Sequence, residues 1–492
     1  MDEAALVENS PEQVDQPNLV PESYTTRTSA FRVFMDKIYI HKLPSYGNKI
    51  FYGLGFLALT CLTLMFASGT VLAFMGKTWW LSNTLGVYVR SIHLWSTQAF
   101  FAILVLHVLV GFTTSGFKAP RRMIWVFGAV LGCLALIQTE FGYGLRGDFS
   151  SQFRAVSGAD FWNGAYLGHI LNPLNYSQEF AIHIAIIPIC IILLFIGHYL
   201  LVHTYGIAKP YRADIKYKMV DADHTIMWIR GAVLVVAILT LAFFFHSPYV
   251  KEIRIDDTAQ QNTALVSATL AAEFDHTSDT NTYMDSIDPY TFDTRQVFVV
   301  IPYQKIVGVS GGYDAWAAFT STSSDLQDQY TRDASQYFSD MSDHGTSSVA
   351  TTTLAWNPVV SMIDTLMPAA KNGLYGSIIS EENPSSNDTY TLRFLSDMNL
   401  FEQRAAQLNM STEEWGMAKD ETGSMTKLPP GSWWLAPIGV LNHTVLLNDD
   451  NGDRDAGIIL GIIMLIFITF PYIPYLNRLP ELLHLAPFIW RE

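Results

Sequence analysis

Six runs of about 20 mostly apolar residues punctuate this chain, and a run of that length spans the roughly 30 Å hydrocarbon layer of a bilayer when helical. They lie at about 48–75, 90–107, 123–143, 179–206, 226–246 and 456–474. Inside lipid every backbone N–H and C=O must be bonded within its own segment, so each run is expected to be a helix. The fold class this implies is a mainly α membrane protein with six spans.

Two of these runs carry histidines at a matched interval. His93 and His107 stand 14 residues apart, and four turns of α-helix take about 14.4 residues, so both leave nearly the same face. The fourth run repeats the arrangement with His183 and His198, 15 residues apart. One histidine in a membrane helix can serve a cross-helix hydrogen bond or a proton path. Four at this spacing favour two facing pairs of imidazoles, the axial ligands of two haems with no open coordination site, an arrangement suited to electron transfer. Gly55 and Gly69 in the first run, and Gly128 and Gly142 in the third, repeat the interval of 14. Glycine lets a helix backbone approach a porphyrin closely, although simple helix packing is a rival explanation. The whole describes a four-helix bundle enclosing two stacked haems.

Cys61, Cys133 and Cys190 all fall inside apolar runs. There is no C-x-x-C-H for a covalent haem c and no thiol cluster for iron–sulfur or zinc, so two non-covalent haem b groups are expected. Disulfides outside the membrane are not.

The formal charge of −15 is unevenly placed: residues 251–455 hold 29 acidic and 11 basic side chains, a net of −18. Residues 247–455 therefore read as a strongly acidic insert that attracts cationic partners and not nucleic acid. Runs such as QVFVVIPYQKIVGV suggest strands and NLFEQRAAQLN a helix, so an α+β extramembrane insert is expected, with Trp316, Trp356, Trp415, Trp433 and Trp434 in its core. His276, His344 and His443 show no ligand spacing.

Residues 1–30 read as a disordered polar tail and 31–40 as an interfacial amphipathic helix. Lys118, Arg121 and Arg122 come after the second run, and Lys209, Arg212, Lys216 and Lys218 after the fourth. Two basic loops on one side place that side, the amino terminus and the tail 475–492 in the cytoplasm, with 247–455 outside. The membrane would be a bacterial or archaeal plasma membrane or an organellar inner membrane.

With FYGLGFLALTC, RSIHLWS through His107, GFKAPRRMIWVFGAVLG, FGYGL and HYLLVHTYGI in this order, residues 31–212 resemble cytochrome b of the bc-type quinol oxidoreductases, most nearly its short split b6-like form. The resemblance implies a respiratory-chain subunit that carries electrons across the membrane between quinol and quinone sites. It places the low-potential haem on His93 and His183 and the high-potential haem on His107 and His198. Arg90 and Arg121 match positions that pair with haem propionates, as guanidinium suits carboxylate; topology signalling is an equal reading of Arg121. His203 falls where the family has a quinone-contacting side chain at the inner site, and Lys209, Asp221 and Asp223 are further candidates on composition alone.

Departures from the family are as informative. Gly53 stands where the split form has a haem-anchoring cysteine, Arg146 and Gly147 stand where a leucine-proline-tryptophan sequence shapes the outer quinol site, and the connection 144–177 looks short. The proline-glutamate-tryptophan-tyrosine motif of that site is missing. A further membrane subunit supplying the outer site, and a Rieske-type or cytochrome c-type redox partner in an oligomeric complex, are therefore expected. The alternatives are a haem-bearing scaffold with a lost outer site, which residues 144–149 would distinguish, or the membrane cytochrome of another quinone-linked oxidoreductase such as a hydrogenase or formate dehydrogenase.

Overall fold

The computed structural model describes residues 40–164, 166–208, 218–282, 292–382, 389–410, 430–442 and 452–483. The tail 1–30, most of the amphipathic segment, Lys209, Arg212, Lys216, Trp415, His443 and residues 484–492 lie outside them. From Leu43 onward the described residues, which carry all six spanning helices, form one compact unit.

The first spanning helix, α1, is Leu54–Met75 and ends at Gly76, whose φ of 79° breaks the helical path. Helix α2, Thr84–Thr113, starts where the Asn83 side chain accepts from the N–H groups of Leu85 and Gly86, satisfying two of the donors a helix start leaves open. Helix α3 is Arg122–Gly144. A further helix, α4, Phe149–Gly164, occupies the connection to the fourth run. That run is α5, Tyr176–Tyr205, continuous through a π-helical stretch at Ile182–Ile186. Helix α6, His224–Phe244, is capped by Asp223, which accepts from Ile226 N at 2.9 Å.

All six apolar runs are helices of spanning length, the last being Asp455–Tyr472. Their outward side chains are apolar and exposed, as Leu193, Ile189, Phe244 and Val233 illustrate. That surface suits hydrocarbon and not water. The chain is an integral membrane protein, mainly α. Within it α1 packs on α2, α3 on α5, and α6 on both α1 and α2.

The insert differs from expectation, because among the described residues after α6 its regular elements are all helices. Its helices include α7 (Thr263–Phe274), α8 (Ile301–Ser310), α9 (Ser324–His344), α10 (Pro358–Lys371), α11 (Leu374–Glu382), α12 (Thr389–Ser396) and α13 (Leu400–Gln407). The run QVFVVIPYQKIVGV, expected as strand, is a π-turned helix, Arg295–Val300, leading into α8. Val297, Phe298, Val299, Val300 and Tyr303 are all buried. A run buried on every side has no alternation to separate strand from helix, and β-branched content misleads there. Strand is confined, among the described residues, to Lys42–Pro44 and Met219–Asp221.

Two further expectations change. The connection 144–177 is built, not merely polar: Phe149, Ala155, Val156, Ala159 and Leu174 share one hydrophobic core with α7, α10, α12 and α13. The tryptophans also divide. Trp316 packs against that core and Trp356 is exposed, while Trp433 and Trp434 leave the insert and pack with Phe101, Ala135 and Tyr143 of the spanning helices.

Candidate functional site: two histidine pairs in the helix bundle

Antiparallel packing sets each of the four glycines against one of the four histidines. A Cβ on Gly69 would come 3.1 Å from the imidazole Cε1 of His93, and one on Gly55 would come 3.5 Å from that of His107. Across the bundle, Gly128 stands in the same relation to His198 at 3.1 Å and Gly142 to His183 at 2.7 Å. Each glycine therefore makes room for a ring on the neighbouring helix. The matched intervals of glycines and histidines are two halves of one packing arrangement.

The rings are then oriented by hydrogen bonds. His183 Nδ1 is 3.0 Å from the carbonyl oxygen of Gln138, and His198 Nδ1 is 3.0 Å from that of Ile124. A carbonyl oxygen can only accept, so the proton is on Nδ1 in both rings. Ser68 Oγ, 3.0 Å from His93 Nδ1, already donates to Leu64 O at 2.7 Å, so it too accepts from the ring. In these three histidines Nε2 carries a free lone pair, the arrangement in which an outer partner prepares imidazole to bind a metal.

His93 and His183 face each other with ring centroids 6.4 Å apart, and His107 and His198 form the second interacting pair. Two metal–imidazole bonds of about 2 Å, plus the half-widths of two rings, come to roughly 6 Å. The first pair thus has the separation that one doubly ligated metal requires. Among the described residues no three His, Cys, Asp or Glu side chains come together as a metal site.

Arg90 is buried beside this pair and joins a cluster the sequence does not announce. Its Nη2 lies 3.3 Å from Asp148 Oδ2 and donates to Pro248 O at 2.9 Å; Arg146 Nη2 makes the same two contacts at 2.7 and 2.8 Å. Asp148 is fully buried. Arg121 is buried at the start of α3, two turns before Gly128, while His203 is exposed on the last turn of α5, its ring 6.5 Å from that of Tyr199. The structure does not bring His203 to either histidine pair.

Sequence reasoning missed the polar node at the His93/His183 end. Arg154 of α4 pairs with Glu140 at 3.1 Å and lies 3.8 Å over the Tyr143 ring, and both Arg154 and Tyr143 hydrogen-bond Ser432. Gln98 holds the same segment through Pro430 O and Trp433 Nε1, and Trp434 stacks on Phe101 at 4.5 Å. The tryptophan pair was the one available signal.

Opposed imidazole pairs in a helical membrane bundle are suited to carrying electrons within the membrane. Residues 98–252 match the family described as cytochrome b (N-terminal)/b6/petB. Cytochrome b6 of Heliomicrobium gestii is 30% identical over 192 residues, 35% of this chain and 90% of the relative. Cytochrome b6 of Synechocystis is 27% identical over 216 residues, 38% and 97% respectively. Among solved structures, a chain of a hyperthermophilic respiratory complex III is similar with a TM-score of 0.36 and 16% identity, covering 70% of this chain and 96% of that one. The chain belongs to the cytochrome b family, of the b6-like type, and that membership implies haem b.

Proposed function

We propose that this chain is a dihaem cytochrome b subunit that passes electrons across the membrane between quinol and quinone sites in a bc-type complex. The observation that carries the reading is the doubled cradle: opposed histidines, each facing a glycine, with three of the four held through Nδ1 and so presenting Nε2 inward. His93 and His183 would hold the low-potential haem, and His107 and His198 the high-potential one. Haem b, bound there, supplies one-electron carriage without covalent chemistry. The protein's part is to fix the rings and exclude water, with Gly55, Gly69, Gly128 and Gly142 admitting the rings.

Arg90 and Arg121 are assigned to the propionates of the outer and inner haems. In this assignment Arg90 serves a propionate while also bonding Asp148 and Pro248 O. His203, at the inner end and open to solvent, would pass protons to quinone as it is reduced. At the outer end, Asp148 neutralises the Arg146 cation that would otherwise repel an apolar quinol ring. That favours a working outer site over a lost one, completed by a further membrane subunit and served by a Rieske-type or cytochrome c-type partner. In this topology the amino terminus is cytoplasmic and residues 247–455 face outside.

A redox titration of the purified chain tests the proposal. Two low-spin b-type components of different potential, both reducible by quinol through the inner site, are expected. A single component would contradict it.

A further inference from the structure

In the insert, the carboxyl groups of two residues far apart in sequence meet in a dry core. Glu273, in the last turn of α7, is fully buried; its Oε2 accepts from Ser278 Oγ at 2.8 Å. Asp397, just past α12, accepts on Oδ1 from Thr280 N at 2.7 Å. The other oxygen of each, Glu273 Oε1 and Asp397 Oδ2, is buried and finds no hydroxyl or N–H donor among the described residues, and both carboxyls are gathered on the one turn, 278–280. Carboxylates have no proton to donate, so two that converge in a dry core are satisfied together when one of them carries a proton. Burial, and then the charge of Asp397, push Glu273 well above the usual carboxylate range; burial also raises Asp397, against hydrogen bonds from Glu273 and Thr280.

The surroundings are polar but offer little charge of the right sign. Thr294 Oγ1 donates to the Glu273 carbonyl oxygen at 3.1 Å, Tyr375 of α11 gives its hydroxyl to Phe298 O at 2.9 Å, and Asp279 adds a second negative charge near Asp397. Arg295 turns its Nε to Phe274 O at 2.6 Å, with its guanidinium over the Phe274 ring, among Asp275, Asp293 and Asp328. Arg393, one turn before Asp397, is itself buried, and Asp364 of α10 is on the exposed face.

We propose that the insert is acid-locked: one proton shared by Glu273 and Asp397 fastens α7 to the limb formed by α12 and α13, and the limb loosens when that proton is lost. The limb matters because α12 and α13 pack on α4, with Phe401 6.3 Å from Phe149. Helix α4 in turn carries Arg154 to Glu140 and Tyr143 at the His93/His183 end of the bundle. Losing the proton to bulk water leaves two like charges on one turn in the core. Because the folded pair binds its proton more tightly than the unfolded chain does, the lock is fully present below about pH 4 and is lost as pH rises through the pair's own titration.

Hydrogen exchange of the full-length protein in lipid discs, followed by mass spectrometry from about pH 5 to about pH 8, tests the lock through peptides covering 263–282 and 389–407. Glu273→Gln is the reference, since its amide donates permanently to Asp397 while the intrinsic exchange chemistry is unchanged. Wild-type exchange in these peptides, relative to that variant, should accelerate with pH by up to about tenfold per unit, the slope of one linked proton. Parallel pH dependence of the two proteins overturns the proposal. Should Glu273→Gln fail to fold, Asp397→Asn is read the same way. In the wild type, an infrared band of a protonated carboxyl must disappear as exchange rises, and exchange that rises with no such loss also overturns it.

Discussion

Gly142 of α3 lies so close to His183 of α5 that a Cβ there would sit 2.7 Å from the imidazole Cε1. Real Cβ contacts do not come this near, so any side chain at 142 must move the ring. Gly142→Ala should therefore disturb the His93/His183 haem alone, lowering its retention severalfold and broadening its spectrum, while the second haem is unchanged. Gly132→Ala, on the same helix but with open space around it, is the control and should behave as wild type. An unaltered spectrum in Gly142→Ala would mean the ring position is not set by this contact.

Asp148 holds two guanidinium groups in a buried site, Arg90 at 3.3 Å and Arg146 at 2.7 Å. Removing one partner of a buried ion pair typically costs about 3–5 kcal/mol because the remaining charge is stranded. Asp148→Asn should destabilise the protein by a cost of that order, seen as a lowered midpoint of thermal unfolding. An unchanged midpoint would show that Arg90 and Arg146 are neutralised elsewhere.

At the other end, His203 is exposed on the last turn of α5. His203→Ala should slow reoxidation of the reduced haems by quinone at least severalfold and leave haem content intact. Stopped-flow absorbance separates the two effects, and equal rates would remove His203 from the inner site.

The six spans, their histidines and the glycine intervals were legible because membrane helices obey one strong rule: backbone satisfaction within the segment, over a length set by the bilayer. The pairing of each glycine with a histidine was not, since it depends on which helices neighbour each other and in what direction. The insert was harder still. Phe298 and Val299 are buried in an all-helical core, where hydrophobicity marks burial and not secondary structure. Helix α4 hid within a polar connection because its core contacts, Phe149, Ala155, Val156 and Ala159, are few and mostly small, and Trp433 and Trp434 looked like insert material although they dock on the spanning helices. The Arg90, Arg146 and Asp148 cluster and the Glu140, Arg154 and Ser432 node join residues distant in sequence, so no local pattern encodes them.

The proposed topology, drawn from positive-inside signalling, has residues 247–455 outside the membrane. Protease added to right-side-out vesicles should cleave within this segment, with cleavage confined to inverted vesicles as the contrary outcome.

If two pairs of histidines hold two haems, haem content per polypeptide must follow the four residues pair by pair. Acidic acetone should extract both haems from the wild-type chain, leaving none on the polypeptide. His93→Ala or His183→Ala should each leave one haem with the spectrum of the other pair, and His107→Ala or His198→Ala should leave the complementary one. Two haems retained in all four single variants would rule out these histidines as the ligands.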